Sequence, residues 1–216
     1  MRVYHFLSAH YALKTLYEHR MKISTFTDLN DPFELSPFNL ANVYYPEGFA
    51  AANRQFAATI GVVCFSQNWG NPVLWAHYGD KHKGICLGFD VPDDCVQEVT
   101  YISEPLRPPQ REEDLTEALA RQVVSTKFEH WRYEDEVRLF ANLHHSEGGL
   151  YFYDFYENAT QMPLKEVIVG VRCSVTKDAI DRAVRDYPAP VIIIKARLAQ
   201  RSFTVIEDTR GFIPET

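Results

Sequence analysis

The stretch Trp131–Phe140, WRYEDEVRLF, places an unusual amount of charge inside an aromatic and β-branched segment. The pattern predicts a β-strand, in which successive side chains point to opposite faces. Glu134, Glu136 and Arg138 would then share one face, with neighbours about 7 Å apart. Because such groups are rarely buried without partners, this face must meet water, an ion-pair network or a polar pocket. The aromatic flanks favour a covered strand over an exposed edge strand.

His5 lies on a predicted first strand, RVYHFL, directly before a helix that Ser8 would cap. A histidine on such a strand is more often a satisfied core residue than a catalytic one. Here, however, the strand end meets a helix N-terminus, whose free N–H groups and dipole attract anions. The position therefore suits a diphosphate.

Two further segments could contribute to a site. NDPFE, Asn30–Glu34, predicts either a tight turn with an Asx-type hydrogen bond or a shaped ligand loop. The apolar strand IGVVCFS ends at Ser66, and the following LWAHYGD places Trp75, His77 and Tyr78 around the same strand end. The large aromatic rings could stack on nicotinamide or adenine, or they could fill the core.

The elements that must position these residues follow from apolar periodicity and turn signals. Strands are predicted at RVYHFL, MKIS, IGVVCFS, GICLGFDV, the charged segment, LYFYDF, KEVIVGV and VIIIKARL, with CVQEVTYI at a sheet edge. Helices are predicted from Ser8 to about Arg20, over about 47–58, at NPVLWAHYGD, over about 112–130 and over about 176–187. The continuous apolar character of IGVVCFS is typical of a central strand. Hairpins mixed with isolated helices indicate an α+β fold, one mixed-sheet domain over residues 1–216.

Composition and charge limit the class of protein. A chain of 216 residues with 46% hydrophobic and 24% charged residues is typical of a globular domain. The net charge of −7 argues against a surface that binds nucleic acid by counterion release alone. No stretch approaches the ~18 apolar residues of a membrane span, and the N-terminus lacks a secretory pattern. We therefore expect a cytoplasmic protein without membrane contact.

The sequence offers no strong metal or nucleotide motif. The four cysteines Cys64, Cys86, Cys95 and Cys173 form no C-x-x-C pair and have no matching histidine spacing. They are expected to be reduced, and no metal site is expected. No G-x-S-x-G elbow, Walker loop or G-x-G-x-x-G after a strand is present.

Several separated motifs occur in an order that resembles a bacterial family known only as a domain of unknown function. They are YHF…AL..L, NDPFE, CFS…LWAHYGD.HKGICLGFD and K..HWRYEDEVRLF. More distantly, VYHFLSAHYALKTLYEHRMKIS, VVCFSQNWGNPVLWAHYG, and EDEVRLF followed by MPLKEVIVGV are similar to ADP-ribosyltransferases of the DarT kind. That resemblance implies their fold, with His5, Tyr78 and Glu136 corresponding to the superfamily's His, Tyr and Glu.

The same resemblance implies an NAD-dependent ADP-ribosyltransferase, a toxin or phage-defence effector that modifies a nucleic acid or a protein, and a neutralising antitoxin partner. Glu136 would stabilise the cation that develops on the nicotinamide ribose. His5 would bind the adenosine-side ribose, and Tyr78 or Trp75 would stack on nicotinamide. The remaining expected NAD contacts are Asn30, Asp31, Ser66 and Arg138, the last either positioning Glu136 or meeting the diphosphate. The alternatives are an NAD glycohydrolase, with water as acceptor, and a non-enzymatic module that binds a nucleotide or a partner protein.

Overall fold

The computed structural model describes residues 1–35, 37–38, 47–114, 116–156 and 162–212. The strands of these residues are β1 (Arg2–Leu7), β2 (Arg20–Ile23), β3 (Ile60–Ser66), β4 (Ile85–Asp90), β5 (Gln97–Glu98), β6 (Thr100–Ile102), β7 (Thr126–Phe128), β8 (Glu136–Asn142), β9 (Ser146–Glu147), β10 (Leu150–Asp154), β11 (Leu164–Val169), β12 (Ile192–Leu198) and β13 (Val205–Glu207). The α-helices are α1 (Ala9–Glu18), α2 (Glu47–Thr59), α3 (Pro72–His77), α4 (Glu117–Val124) and α5 (Lys177–Ala183). Short 3-10 helices occur at Phe26–Asp28, Asp93–Cys95, Glu112–Asp114 and Glu129–Glu134.

Eight strands form one mixed sheet in the order β13-β12-β11-β4-β1-β3-β8-β5. Adjacent strands run antiparallel, except that β11 and β12 are parallel and are joined through α5, as a parallel crossover requires. Strands β2, β10 and β9 form a smaller antiparallel sheet, and β6 pairs in parallel with β7. The predicted α+β class with a mixed sheet is confirmed.

Apolar side chains cover both faces of the main sheet. Along β4, Ile85, Leu87 and Phe89 pack in the larger core cluster together with residues of α1 and α5. Cys86 points to the other face, where it packs in a second cluster with Trp75 of α3. The predicted central position of IGVVCFS is confirmed, because β3 lies between β1 and β8.

The main sheet is weakly joined between β1 and β3. Strand β1 pairs with β4 along its whole length, but it pairs with β3 only at Tyr4↔Ser66. Strand β3 pairs with β8 along its whole length, and Ser66 there lies opposite Glu136. Tyr4, Ser66 and Glu136 therefore form one row across three strands. Beyond this row β1 and β3 no longer pair, which leaves a gap inside the sheet.

Most of the predicted elements are confirmed. The Ser8 hydroxyl accepts a hydrogen bond from the N–H of Tyr11 (3.4 Å) and begins α1, which ends at Glu18 rather than near Arg20. Helix α3 begins at Pro72 after an Asn cap, and α2 matches its predicted range closely. Helix α5 is shorter than predicted, and CVQEVTYI contributes β5 at the edge of the main sheet.

The predicted long helix over 112–130 is wrong. Among the described residues of this range, only those of α4 are α-helical. The hydroxyls of Ser125 and Thr126 donate hydrogen bonds to carbonyl oxygens of its last turn at 2.7 and 2.6 Å. Hydroxyl side chains that bond to the backbone in this way compete with continuation of a helix. The chain then forms β7, which carries Lys127 into the interior.

The charged segment WRYEDEVRLF is only partly a strand. Its first residues belong to the 3-10 helix Glu129–Glu134, Asp135 is left-handed (φ 46°, ψ 51°), and β8 begins at Glu136. Glu134 therefore does not share a strand face with Glu136 and Arg138. Aspartate tolerates the left-handed region better than most other residues, which allows the chain to turn here.

Candidate functional site

A cavity of about 230 Å³ lies beside the gap between β1 and β3. Its polar lining residues are Tyr4 and His5 on β1, Ser24, Asp28, Asn30 and Glu34 after β2, Cys64 and Ser66 on β3, Tyr78 after α3, Lys127 on β7, Glu134 at the end of a 3-10 helix, and Glu136 at the start of β8. The structure thus brings together five residues that the sequence singled out: His5, Asn30, Ser66, Tyr78 and Glu136. They come from distant parts of the chain.

Three of the expected NAD contacts, Trp75, Asp31 and Arg138, lie outside this cavity. Trp75 is fully buried in the second core cluster, and its indole N–H donates to the carbonyl of Trp69 at 2.6 Å. Trp75 is therefore not available to stack on a ligand, so the alternative that placed it against nicotinamide is wrong. Asp31 is also buried, and its carboxylate accepts a hydrogen bond from the N–H of Phe33 (2.9 Å) in the predicted Asx turn.

Arg138 is buried behind the cavity and holds two carboxylates. Its guanidinium donates to Glu136 at 2.9 and 3.3 Å, to Glu34 at 2.9 and 2.7 Å, and to the carbonyl of Val124 at 2.8 Å. The Arg138 side chain is 0% exposed and each carboxylate side chain 4% exposed. Of the two roles expected for Arg138, contact with a diphosphate is excluded by this burial. Its contacts are those of a residue that positions Glu136.

Lys127 forms a second cationic centre beside the same carboxylates. Its ammonium donates to Glu134 at 2.6 Å and to Glu136 at 3.2 Å, and lies 3.9 Å from Glu34. The ring of Trp131 covers the ammonium, with its centroid at 4.7 Å. With every group ionised, Lys127 and Arg138 leave one of the three negative charges without a matching positive charge.

Burial and charge act differently on the three carboxyl groups. Burial raises the pKa values of Glu34 and Glu134 despite their cationic neighbours. Burial also acts to raise the pKa of Glu136, but the charges of Arg138 and Lys127 outweigh it and lower this pKa. Of the three carboxyl groups, Glu136 is therefore the one whose ionised form is favoured most.

The His5 imidazole is fixed on one side by the backbone of β3. Its Nδ1 lies 2.9 Å from the carbonyl oxygen of Cys64. Because a carbonyl oxygen can only accept, Nδ1 carries a proton, and Nε2 of the neutral ring is a hydrogen-bond acceptor. Burial lowers the pKa of His5, although the hydrogen bond to Cys64 opposes the shift in part. The neutral ring can accept a hydrogen bond from a ligand hydroxyl.

Tyr78 is held in the cavity wall by two hydrogen bonds. The side-chain amide of Asn30 donates to the phenol oxygen at 2.6 Å, and the phenol donates to Glu134. Burial and the neighbouring Glu134 charge raise the pKa of Tyr78, so the phenol stays protonated. Ser66 also lines the cavity, but its hydroxyl donates to the carbonyl of Asn68 at 3.0 Å.

The left-handed residue Asp135 allows Glu134 and Glu136 to reach the same ammonium group. Asp135 is exposed, so a substitution there tests the backbone conformation rather than packing. We expect Asp135→Gly to preserve the free energy of unfolding, and Asp135→Val to lower it by about 1–2 kcal/mol, since a β-branched residue disfavours positive φ. Urea unfolding measures both values. Equal stability of the two variants would contradict the left-handed backbone conformation assigned to Asp135.

The lowered pKa of His5 makes stability depend on pH with a defined sign. The unfolded chain binds a proton at His5 more readily than the folded protein does. The contribution of His5 to the free energy of unfolding is therefore complete above about pH 6.5 and is lost as the pH falls towards the pKa of His5 in the folded protein. We expect the free energy of unfolding to fall less steeply between about pH 6.5 and 5 in His5→Gln than in the wild type. His145→Gln, at an exposed loop position, is the matched control and should keep the wild-type slope. A wild-type slope in His5→Gln would overturn the prediction.

Sequence reasoning missed Lys127 and Glu34 as members of the site. Both occur in the motifs K..HWRYEDEVRLF and NDPFE, but neither was singled out there. The available signal was one of charge balance: a covered segment with three acids needs buried cations besides Arg138. Glu134 was noted for its charge but was placed on the wrong element.

The described residues offer neither a metal-binding cluster nor a membrane helix. Among them, no group of three or more His, Cys, Asp or Glu side chains is arranged to hold a metal ion. In the same part of the chain, no helix is long and apolar enough to cross a membrane.

Comparison with known proteins supports the similarity to a family of unknown function. The model of the family described as "Protein of unknown function (DUF2971)" matches residues 74–139. This segment runs from α3 to β8 and includes Tyr78, Lys127 and Glu136, but not His5. Neither a curated protein nor a solved structure matches the chain.

Proposed function

We propose that the protein is an NAD-dependent ADP-ribosyltransferase whose reaction takes place in the cavity between β1 and β3. The observation that carries this proposal is that His5 and Glu136, far apart in the sequence, line one cavity together with Tyr78. These are the three residues that the resemblance to ADP-ribosyltransferases assigns to the site.

Glu136 has the properties that the chemistry needs. When the bond between nicotinamide and ribose breaks, positive charge develops on the ribose, and a fixed carboxylate nearby stabilises it. Arg138 and Lys127 hold the Glu136 carboxylate in place and ionised. Such a group needs no reorientation during the reaction, which is the condition for effective electrostatic stabilisation.

The size of the cavity defines which part of NAD it holds. A volume of about 230 Å³ is smaller than the roughly 300–1,000 Å³ of ordinary ligand pockets. We therefore assign the nicotinamide and its ribose to the cavity, with the rest of NAD outside it. On this assignment His5 accepts a hydrogen bond from a ribose hydroxyl of the enclosed half, not from the adenosine-side ribose.

Tyr78 is the aromatic wall for the nicotinamide ring. Its hydrogen bonds with Asn30 and Glu134 fix the ring, so stacking costs little side-chain entropy. Asn30 acts through Tyr78 as a positioning residue. The Glu136 carboxylate in the same cavity attracts the positive charge of the nicotinamide ring.

The test is to incubate the purified protein with NAD and to follow nicotinamide release together with transfer of ADP-ribose to added protein and nucleic acid. We expect release with transfer, and a lower rate in His5→Ala. Release with free ADP-ribose as sole product would support the glycohydrolase. Binding of NAD without release would support the non-enzymatic module, and neither binding nor release would reject the cavity as an NAD site.

A further inference from the structure

A second cavity, of about 310 Å³, lies on the opposite side of the turn Asn30–Glu34. The residues of this turn divide between the two cavities: Asn30 and Glu34 line the first, and Asp31 and Phe33 line the second. Lys127 lines both. The two cavities are therefore neighbours that share one wall.

The second cavity combines aromatic rings with carboxylates. Phe33, Phe38 and Phe128 contribute three phenyl rings, and Asp31 and Glu104 contribute two carboxyl groups. The face of an aromatic ring is negative, so rings and carboxylates attract a positive charge together. Aromatic rings of this kind recognise organic cations in protein sites.

The positive charge in the wall is already neutralised. Among the described residues that line the second cavity, Lys127 is the only cation, and its ammonium lies within 4 Å of Glu34, Glu134 and Glu136. The cavity thus presents aromatic rings and the exposed Glu104 carboxylate to a ligand, and the buried Asp31 adds negative charge to its wall. A polyanion is disfavoured further by the net charge of −7.

We propose that the second cavity binds an arginine or lysine side chain of a protein acceptor, as an anchor that is not itself modified. This inference rests on the proposed function and names its substrate class as a basic protein rather than a nucleic acid. The hydrocarbon stem would lie along Phe33 and Phe128, and the charged head would meet Glu104. The shared turn places the anchored protein next to the reaction cavity.

Binding is measured first, without NAD, by titrating the protein with a short arginine peptide and with the same peptide containing citrulline, the uncharged analogue of arginine. We expect the citrulline peptide to bind about tenfold more weakly, and higher salt to weaken only the arginine peptide. Equal binding of both peptides, or tighter binding of an oligonucleotide, would overturn the proposal. So would failure of the arginine peptide to bind.

Variants locate the binding site. Phe33 is 65% exposed and Phe128 41% exposed, so Phe33→Ala and Phe128→Ala should leave the fold intact. Each should weaken binding of the arginine peptide by about tenfold. Glu104→Gln should weaken binding of the same peptide severalfold. The matched control is Phe203→Ala, because Phe203 is 98% exposed and lies outside the cavity. Unchanged binding in both cavity variants would place the peptide elsewhere and reject the site.

A second readout separates this inference from the proposed function. In Phe128→Ala we expect nicotinamide release into water to stay at the wild-type rate, while transfer to a basic protein falls. If no NAD is consumed although the arginine peptide binds as expected, the proposed function and the acceptor role fail together, and the cation site stands. If NAD is consumed but Phe128→Ala transfers normally to basic proteins, the acceptor role alone fails.

Discussion

Replacing Glu136 by glutamine is expected to lower the rate of nicotinamide release by about a hundredfold to a thousandfold, the usual cost of removing one group that stabilises charge in a transition state. Glutamine keeps the shape and one acceptor oxygen of the side chain but loses the negative charge. The rate is followed by nicotinamide release at saturating NAD, with circular dichroism to verify the fold.

Glu34→Gln is the matched control for this substitution. Glu34 is as buried as Glu136 and binds the same guanidinium group of Arg138, so both variants remove one buried negative charge. We expect Glu34→Gln to lower the rate by less than about tenfold, because Glu34 does not act on the ribose in our proposal. If both variants lost activity equally, the effect would belong to the ion cluster and not to Glu136.

Replacing Arg138 by methionine is expected to lower the free energy of unfolding by about 3–5 kcal/mol. Arg138 is fully buried, and its removal leaves the carboxylates of Glu34 and Glu136 buried with one cation fewer. This loss is a large fraction of the roughly 5–15 kcal/mol that stabilises a typical domain. Urea unfolding measures the change.

Two further variants make the Arg138 prediction specific. Arg138→Lys keeps the charge but cannot bind both carboxylates through a planar fork, so we expect an intermediate loss. Arg121→Ala removes an ion pair with Glu117 in which both side chains are mostly exposed, and should cost less than about 0.5 kcal/mol. A similar cost for Arg138→Met and Arg121→Ala would show that the buried cluster contributes no more than a surface pair.

The elements of the fold were predictable where the signal was local. The continuous apolar run of β3 and the Ser8 cap of α1 specified their structures because adjacent residues carry the information. The helix predicted over 112–130 failed because two hydroxyl residues, Ser125 and Thr126, bond to the last turn of α4 and end it. Helix propensity does not include such side-chain competition.

The candidate site was predictable in its residue types and only partly in its geometry. The alternation rule correctly placed Glu136 and Arg138 on one strand face, where Arg138 donates to the Glu136 carboxylate. Lys127 could not be assigned from local sequence, because its partners come from the Asn30–Glu34 turn, the 3-10 helix Glu129–Glu134 and the start of β8. The burial of Trp75 likewise depends on packing against a distant part of the sheet.

Backbone pairing joins β1 to β3 at one residue pair only, so the main sheet consists of two hydrogen-bonded blocks, one built on β4 and one on β8. Every strand ladder within a block has more paired residues than the ladder between β1 and β3. The boundary between the blocks is therefore the part of the main sheet with the least backbone pairing. A ligand seated against both His5 and Glu136 touches each block. The binding free energy of such a ligand would therefore stabilise the contact between the two blocks.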